Sequence, residues 1–132
     1  EAEIKSIKPL VKIVSWSSVG VDPSIMGLGP IKAVREAIKK AKWNLNEIDL
    51  FEINEAFSCV PMVAMDKLKI DYDKVNIHGG AVSLGHPIGA SGTRILVTLL
   101  NALKIKKLKY GIASICIGGG EASSMIIENF DI

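Results

Sequence analysis

The sequence predicts an α/β fold, a mostly parallel mixed sheet with helices on both faces, in the order β-α-β-α-β-α-β-β. Three observations predict it. Short apolar runs bounded by glycine and proline recur along the chain, and stretches with helical periodicity lie between them. The last two strand-like runs are separated only by Gly118-Gly119-Gly120. Alternating strands and helices favour parallel crossovers, whereas a glycine hairpin makes the final pair antiparallel. With 132 residues, 48% of them apolar, the chain supports one domain with a real core, spanning positions 1–132.

Val11 to Ser18 alternates, carrying Val11, Ile13, Val14 and Trp16 with Val19 just beyond, and reads as the first strand. Gly20-Val21-Asp22-Pro23 ends it. Gly29-Pro30 opens a helix, because a proline in the first turn loses no hydrogen bond. Ile31, Val34, Ile38 and Ala41 then form one apolar stripe, with Lys32, Arg35, Glu36 and Lys39 towards water. Ile48–Ile53 is a second strand with Asn54 at its exit. Glu55–Leu68 reads as a helix kinked or restarted at Pro61. Val75–Ile77 reads as a short buried strand that leads into the glycine-rich loop Gly79–Gly92. Thr93–Leu103 has almost no polar face and is expected to be buried on all sides. Tyr110–Ile117 and Ser123–Glu128 complete the sheet.

Composition excludes several classes of function. A net charge of +2 gives no electrostatic case for nucleic acid. The lysines at 39, 40 and 42 and at 104, 106, 107 and 109 suit solvated helix ends. Cys59 and Cys116 make no disulfide framework, and without a Cys-x-x-Cys there is no zinc motif, so a reducing, cytoplasmic setting is expected. No apolar run approaches the ~20 residues of a membrane span. The chain opens at Glu1 rather than Met and reads as processed or as a fragment. Its tail, Phe130-Asp131-Ile132, is not a Ser-Lys-Leu peroxisomal address.

Three runs carry chemistry: Asn54-Glu55-Ala56-Phe57, Gly85-His86-Pro87-Ile88-Gly89 and Cys116-Ile117-Gly118-Gly119-Gly120. His86 precedes the N-terminus of the apolar helix, where the dipole disfavours added positive charge. A neutral imidazole there can act as a base or donate to a carbonyl, or it can simply cap the loop. Cys116 ends a strand beside glycines whose N–H groups can face a bound oxygen, the geometry of an oxyanion hole. Its thiol could be a nucleophile, a proton carrier or a small buried hydrophobe. Asn54 is either an N-cap or an amide that holds a water for a carbonyl. Cys59, placed mid-helix, and His78 receive structural readings. The glycine loops match neither nucleotide pattern: no Walker lysine lies between Lys74 and Lys104, and the spacing of Gly85, Gly89 and Gly92 is wrong for a dinucleotide turn.

Together with Gly20-Val21-Asp22-Pro23 and Met26-Gly27-Leu28-Gly29-Pro30, these runs make the chain resemble the C-terminal half of a thiolase of the acetyl-CoA acetyltransferase type over essentially its whole length. The resemblance implies a Claisen condensation of two acetyl-CoA to acetoacetyl-CoA and CoA, or the reverse thiolysis. CoA thioesters would be substrates, with no covalently bound cofactor and no metal. His86 would activate the nucleophilic cysteine and donate to the thioester oxygen, while Asn54 would hold a water in that first oxyanion hole. Cys116 would move the α-carbon proton, and the Gly118 N–H would serve the second oxyanion hole. Met26 and Phe57 match positions lining the acyl and pantetheine pocket. Glu121-Ala122 departs from the family's usual second glycine, and the Ala-Ser continuation is similar to mitochondrial-type acetoacetyl-CoA thiolases, which keeps a mitochondrial setting as the alternative. The nucleophile lies in the family's N-terminal half, so the implied partners are that domain and a homo-oligomer, and the chain alone would be inactive. The alternative is a non-catalytic acyl-CoA-binding or interaction module that keeps the fold. An isolated half should also expose one apolar face of the Thr93–Leu103 helix and self-associate through it.

Overall fold

Strand β1 (Val11–Gly20) packs its buried serines onto helix α1 (Gly29–Ala41) in the computed structural model, which describes residue 2 and residues 4–130. Asp131 and Ile132, the end of the tail read above, lie outside the described residues. Ser15 Oγ donates to Ala37 O at 2.7 Å and Ser17 Oγ to Ala33 O at 2.6 Å. Both alanines are fully buried, so the helix backbone lies close to the strand.

Strands β2 (Leu50–Ile53), β3 (Tyr110–Ile117) and β4 (Glu121–Asn129) complete a mixed sheet in the order β1-β4-β3-β2. β2 and β3 pair in parallel, whereas β4 is antiparallel to both β3 and β1. Three strands therefore point one way, as the strand–helix alternation implies. The expectation of mostly parallel pairing is corrected, because β4 wedges between β1 and β3 and makes two of the three neighbouring pairs antiparallel. The cause is the Gly118–Gly120 hairpin, which lays β4 along β3 and leaves its far edge free to pair with all but one residue of β1, Val14 standing out at a bulge.

Helices cover both faces. Val34 and Ile38 of α1 and Val60 and Ala64 of α2 (Cys59–Leu68) share one core with Phe51, Ile53, Ile112 and Ile126. On the other face, Ile95, Leu99 and Leu103 of α4 (Ser91–Lys106) pack on Leu50, Ala113 and Ile127. Between α2 and α4 lies the one-turn helix α3 (Ala81–Leu84). No helix among the described residues is long and apolar enough to cross a membrane.

Three local expectations change. Helix α2 starts at Cys59, so Pro61 sits in its first turn, where it needs no N–H partner and causes no kink. Cys59 consequently opens the helix and is exposed. The Val75–Ile77 strand reduces to one bridge, Val75 to Phe51, because Asn76 turns left-handed at φ 49°. Helix α4 is not buried all round: Val97 is 53% exposed. Beside it lies an open groove of about 260 Å³ lined by Trp16, Ile95, Leu96, Ile115 and Met125. The apolar face expected of an isolated half is therefore present.

The site end of the sheet is pinned by backbone contact. Val21 N donates to Gly120 O at 2.6 Å, and a Cβ on Gly120 would collide with Val21 O, with φ at +93° besides. Gly120→Ala is expected to destabilise the chain by about 2–3 kcal/mol, read as a lower urea midpoint with an unchanged m-value. The Ala122 departure also has a packing account: the side chain is fully buried against Gly29, where an added Cβ would come within 2.7 Å of it.

Candidate active site

Asn54 leaves the end of β2 with its N–H donating to Ser114 O on β3 at 2.9 Å, and it is fully buried. It caps no helix, since α2 starts five residues later. The residues around it explain why the side chain is free to point elsewhere. Asn76 uses its amide as a strand would use its backbone, accepting from Ile53 N at 2.8 Å and donating to Ile53 O at 2.9 Å. Glu55 then ties this edge to the histidine loop. Its carboxylate accepts from Asn76 Nδ2 at 3.0 Å and from Val82 N at 2.9 Å, at the start of α3. Gly80 leaves room for it, since a Cβ there would overlap the Glu55 carboxylate and displace it from these bonds. Glu55 is thus a brace between β2 and the Gly79–Gly92 loop.

His86 follows α3, in the turn that enters α4, and is half-buried. Its Nδ1 lies 2.6 Å from Ser91 Oγ, and Ser91 Oγ donates to Pro87 O at 3.1 Å. Its Nε2 lies 3.5 Å from Asn54 Nδ2, a long contact of the kind that tightens when a site is filled. Asn54 Oδ1 accepts from Arg94 Nη2 at 3.1 Å. The amide and the imidazole are therefore brought together.

Cys116 occupies the same end of the sheet, near the end of β3, and is 5% exposed. Burial pushes its thiol above the ordinary value, with a backbone hydrogen bond opposing and the nearby Cys59 adding to the rise. No hydrogen bond joins it to His86 or Asn54 among the described residues. Beyond it, Gly118 is exposed, with open space where a side chain would stand. Met26, in the 3₁₀ turn Pro23–Leu28, is half-buried against the α1/α2 core, and Phe57 is 64% exposed.

Sequence reasoning passed over Ser91, Asn76, Arg94 and Glu52. Arg94 carried a usable signal, being the only Lys or Arg between Lys74 and Lys104 and set in an otherwise apolar helix. Glu52, a lone carboxylate in an apolar strand, is 2% exposed, and its pKa is raised to about 7. Desolvation drives that rise, Arg94 opposes it and Glu55 adds to it. Ser91 and Asn76 had no such signal. Among the described residues no group of three or more His, Cys, Asp or Glu is placed to hold a metal ion.

A family profile described as thiolase, C-terminal domain, matches residues 7–129. The cytosolic acetyl-CoA acetyltransferase of Mus musculus is 53% identical over 128 residues, covering 97% of this chain and 32% of that protein. The crystal structure of Bacillus anthracis acetyl-CoA acetyltransferase matches with a TM-score of 0.94 at 46% identity, covering 98% of this chain and 33% of the other. Human mitochondrial 3-ketoacyl-CoA thiolase in complex with CoA matches at 0.94 with 42% identity, covering 97% of this chain and 32% of the other. The chain spans about a third of the length of the curated relatives it matches.

Proposed function

The chain belongs to the thiolase C-terminal domain family, and on that premise we propose that it is the acid–base lobe of an acetyl-CoA C-acetyltransferase. The reaction is the condensation of two acetyl-CoA to acetoacetyl-CoA and CoA, or its thiolytic reversal. The observation that carries this reading is the pairing of the Asn54 amide with the His86 imidazole at the sheet end that also presents Cys116 and Gly118.

The roles follow from the groups. Nε2 of His86 takes the proton of a cysteine thiol supplied by the N-terminal thiolase domain, and the thiolate attacks the acyl-CoA carbonyl. The imidazolium N–H then donates to the thioester oxygen, beside a water held by Asn54, and gives its proton to the departing CoA sulfur when the adduct of acetyl-CoA collapses. Cys116, whose raised pKa keeps it a thiol near neutrality, is poised to protonate the acetyl enolate in thiolysis. In condensation the same group, as the thiolate, takes the α-proton in the reverse sense, with the enolate oxygen facing the Gly118 N–H. Met26 and Phe57 line the path of the acyl and pantetheine groups. CoA thioesters are the substrates, and the chemistry calls for neither a metal nor a covalent cofactor.

The groove beside α4 and the exposed Val97 supply a face for the N-terminal domain or for a further copy of the lobe. A cytoplasmic setting suits the two free thiols, with the mitochondrion as the alternative. The test is thiolysis of acetoacetyl-CoA by the chain alone and by the chain fused behind the nucleophile-bearing part of the mouse relative. We expect turnover only from the fusion. Turnover by the chain alone, or a folded fusion that binds CoA without turnover, would favour a different role, the latter a non-catalytic acyl-CoA-binding module.

A further inference from the structure

We propose that Arg94 is a positioning residue whose guanidinium sets the polarity of the Asn54 carboxamide, and through it leaves Nε2 of His86 unprotonated. The inference rests on the role of His86 proposed above. A guanidinium only donates, so the Asn54 atom 3.1 Å from Arg94 Nη2 must be the carbonyl oxygen. The amide's NH2 group is then the one that faces His86 Nε2, at 3.5 Å. An NH2 group also only donates, so Nε2 must offer its lone pair and the neutral ring must carry its proton on Nδ1.

The other end of the ring agrees. Ser91 gives its single hydroxyl proton to Pro87 O at 3.1 Å. With its own proton directed there, Ser91 Oγ accepts from His86 at 2.6 Å, an arrangement that fits an imidazole proton on Nδ1. Ser91 and Arg94 lie three residues apart in the first turn of α4, so one helical turn holds both sides of the amide–imidazole pair. A flipped amide would set NH2 against the guanidinium and offer an oxygen to Nε2, drawing the proton onto the nitrogen that must be free.

Arg94 does not behave as a structural cross-link. Its Nε and Nη1 are buried with no hydrogen-bond partner, leaving the bond to Asn54 as the one its guanidinium makes among the described residues. Burying two unpaired donors is costly, and the charge also acts on the buried Glu52 carboxyl, so the Arg94 variants are read at the imidazole ring as well as in stability.

The test is long-range ¹H–¹⁵N NMR of the imidazole in the full 132-residue chain, at a pH where His86 is neutral, with kinetics on the fused enzyme. The wild-type ring should be protonated on Nδ1. Arg94→Met should shift it towards the Nε2–H form that free histidine prefers and lower kcat about 10- to 100-fold with little change in KM. Arg94→Lys keeps a donor for Oδ1 and should recover most of both. A wild-type ring protonated mainly on Nε2 overturns the proposal, as does an Arg94→Met ring that stays on Nδ1 with kcat unchanged. If Arg94→Met fails to fold, the wild-type tautomer and Arg94→Lys decide. A fusion without turnover removes the proposed enzyme role, while the tautomer still settles what Arg94 does.

Discussion

Replacing His86 by alanine in the fused enzyme is expected to lower kcat for thiolysis by about 10²- to 10⁴-fold, with KM changed only a few-fold. The expectation rests on where the imidazole stands. It is half-buried and belongs to neither core cluster, so removing it opens no cavity in the packed interior. Ser91 keeps its bond to Pro87 O and Asn54 keeps its bond to Arg94, so the frame around the deletion survives. What is lost is the base at Nε2 and, after proton transfer, the donor to the thioester oxygen. Both act before the carbon–carbon step, so the acyl-enzyme should form slowly. A rapid-quench experiment with labelled acetyl-CoA should show the burst of enzyme-bound acetyl abolished in His86→Ala. The same burst should persist in Cys116→Ser, whose defect falls on transfer of the α-proton. A full burst in His86→Ala would assign the activation of the nucleophile to another group.

Much of the fold was legible because its signals are local. The alternation of Val11–Ser18, the stripe Ile31, Val34, Ile38 and the glycine hairpin after Ile117 each dictate an element from neighbouring residues. The pairing of β4 with β1 was not legible, because nothing in either strand names its partner across a hundred residues. Nor was the loss of the Val75–Ile77 strand, where one side chain, Asn76, takes over the hydrogen bonds a strand would have made. The site divides in the same way. His86 and Cys116 stand out because reactive side chains are set among turn-forming glycines and proline. Ser91 is an ordinary helix residue and Arg94 a lone charge in an apolar helix until α4 is laid against β2, and only then do their donors and acceptors meet the imidazole and the amide. Glu55 shows the limit within a single motif: next to Asn54 in sequence, it points away to brace the loop.

Glu52 makes stability depend on pH, and Glu52→Gln should remove that dependence. The carboxyl is 2% exposed in β2, and desolvation raises its pKa from 4.5 to about 7 against the pull of Arg94. Between those two values the folded chain holds a proton that the unfolded chain has released. Stability must therefore fall as pH rises across that interval. The contribution is fully present below about pH 4.5 and lost as pH passes through about 7. A gap of that size is worth about 3 kcal/mol, which for a chain of this length is a change in Tm on the order of 10 °C. Glutamine keeps the shape and carries no charge at any of these pH values, so the variant should match the protonated wild type at low pH and exceed it at pH 8. The measurement is Tm for both proteins from pH 5 to 8 at fixed ionic strength, with the difference between the two curves as the readout, since it cancels the titration of every other group. A difference that does not grow with pH would mean that Glu52 ionises in place at little cost. The Arg94 charge would then be compensating the buried carboxylate far better than its position beside Asn54 implies.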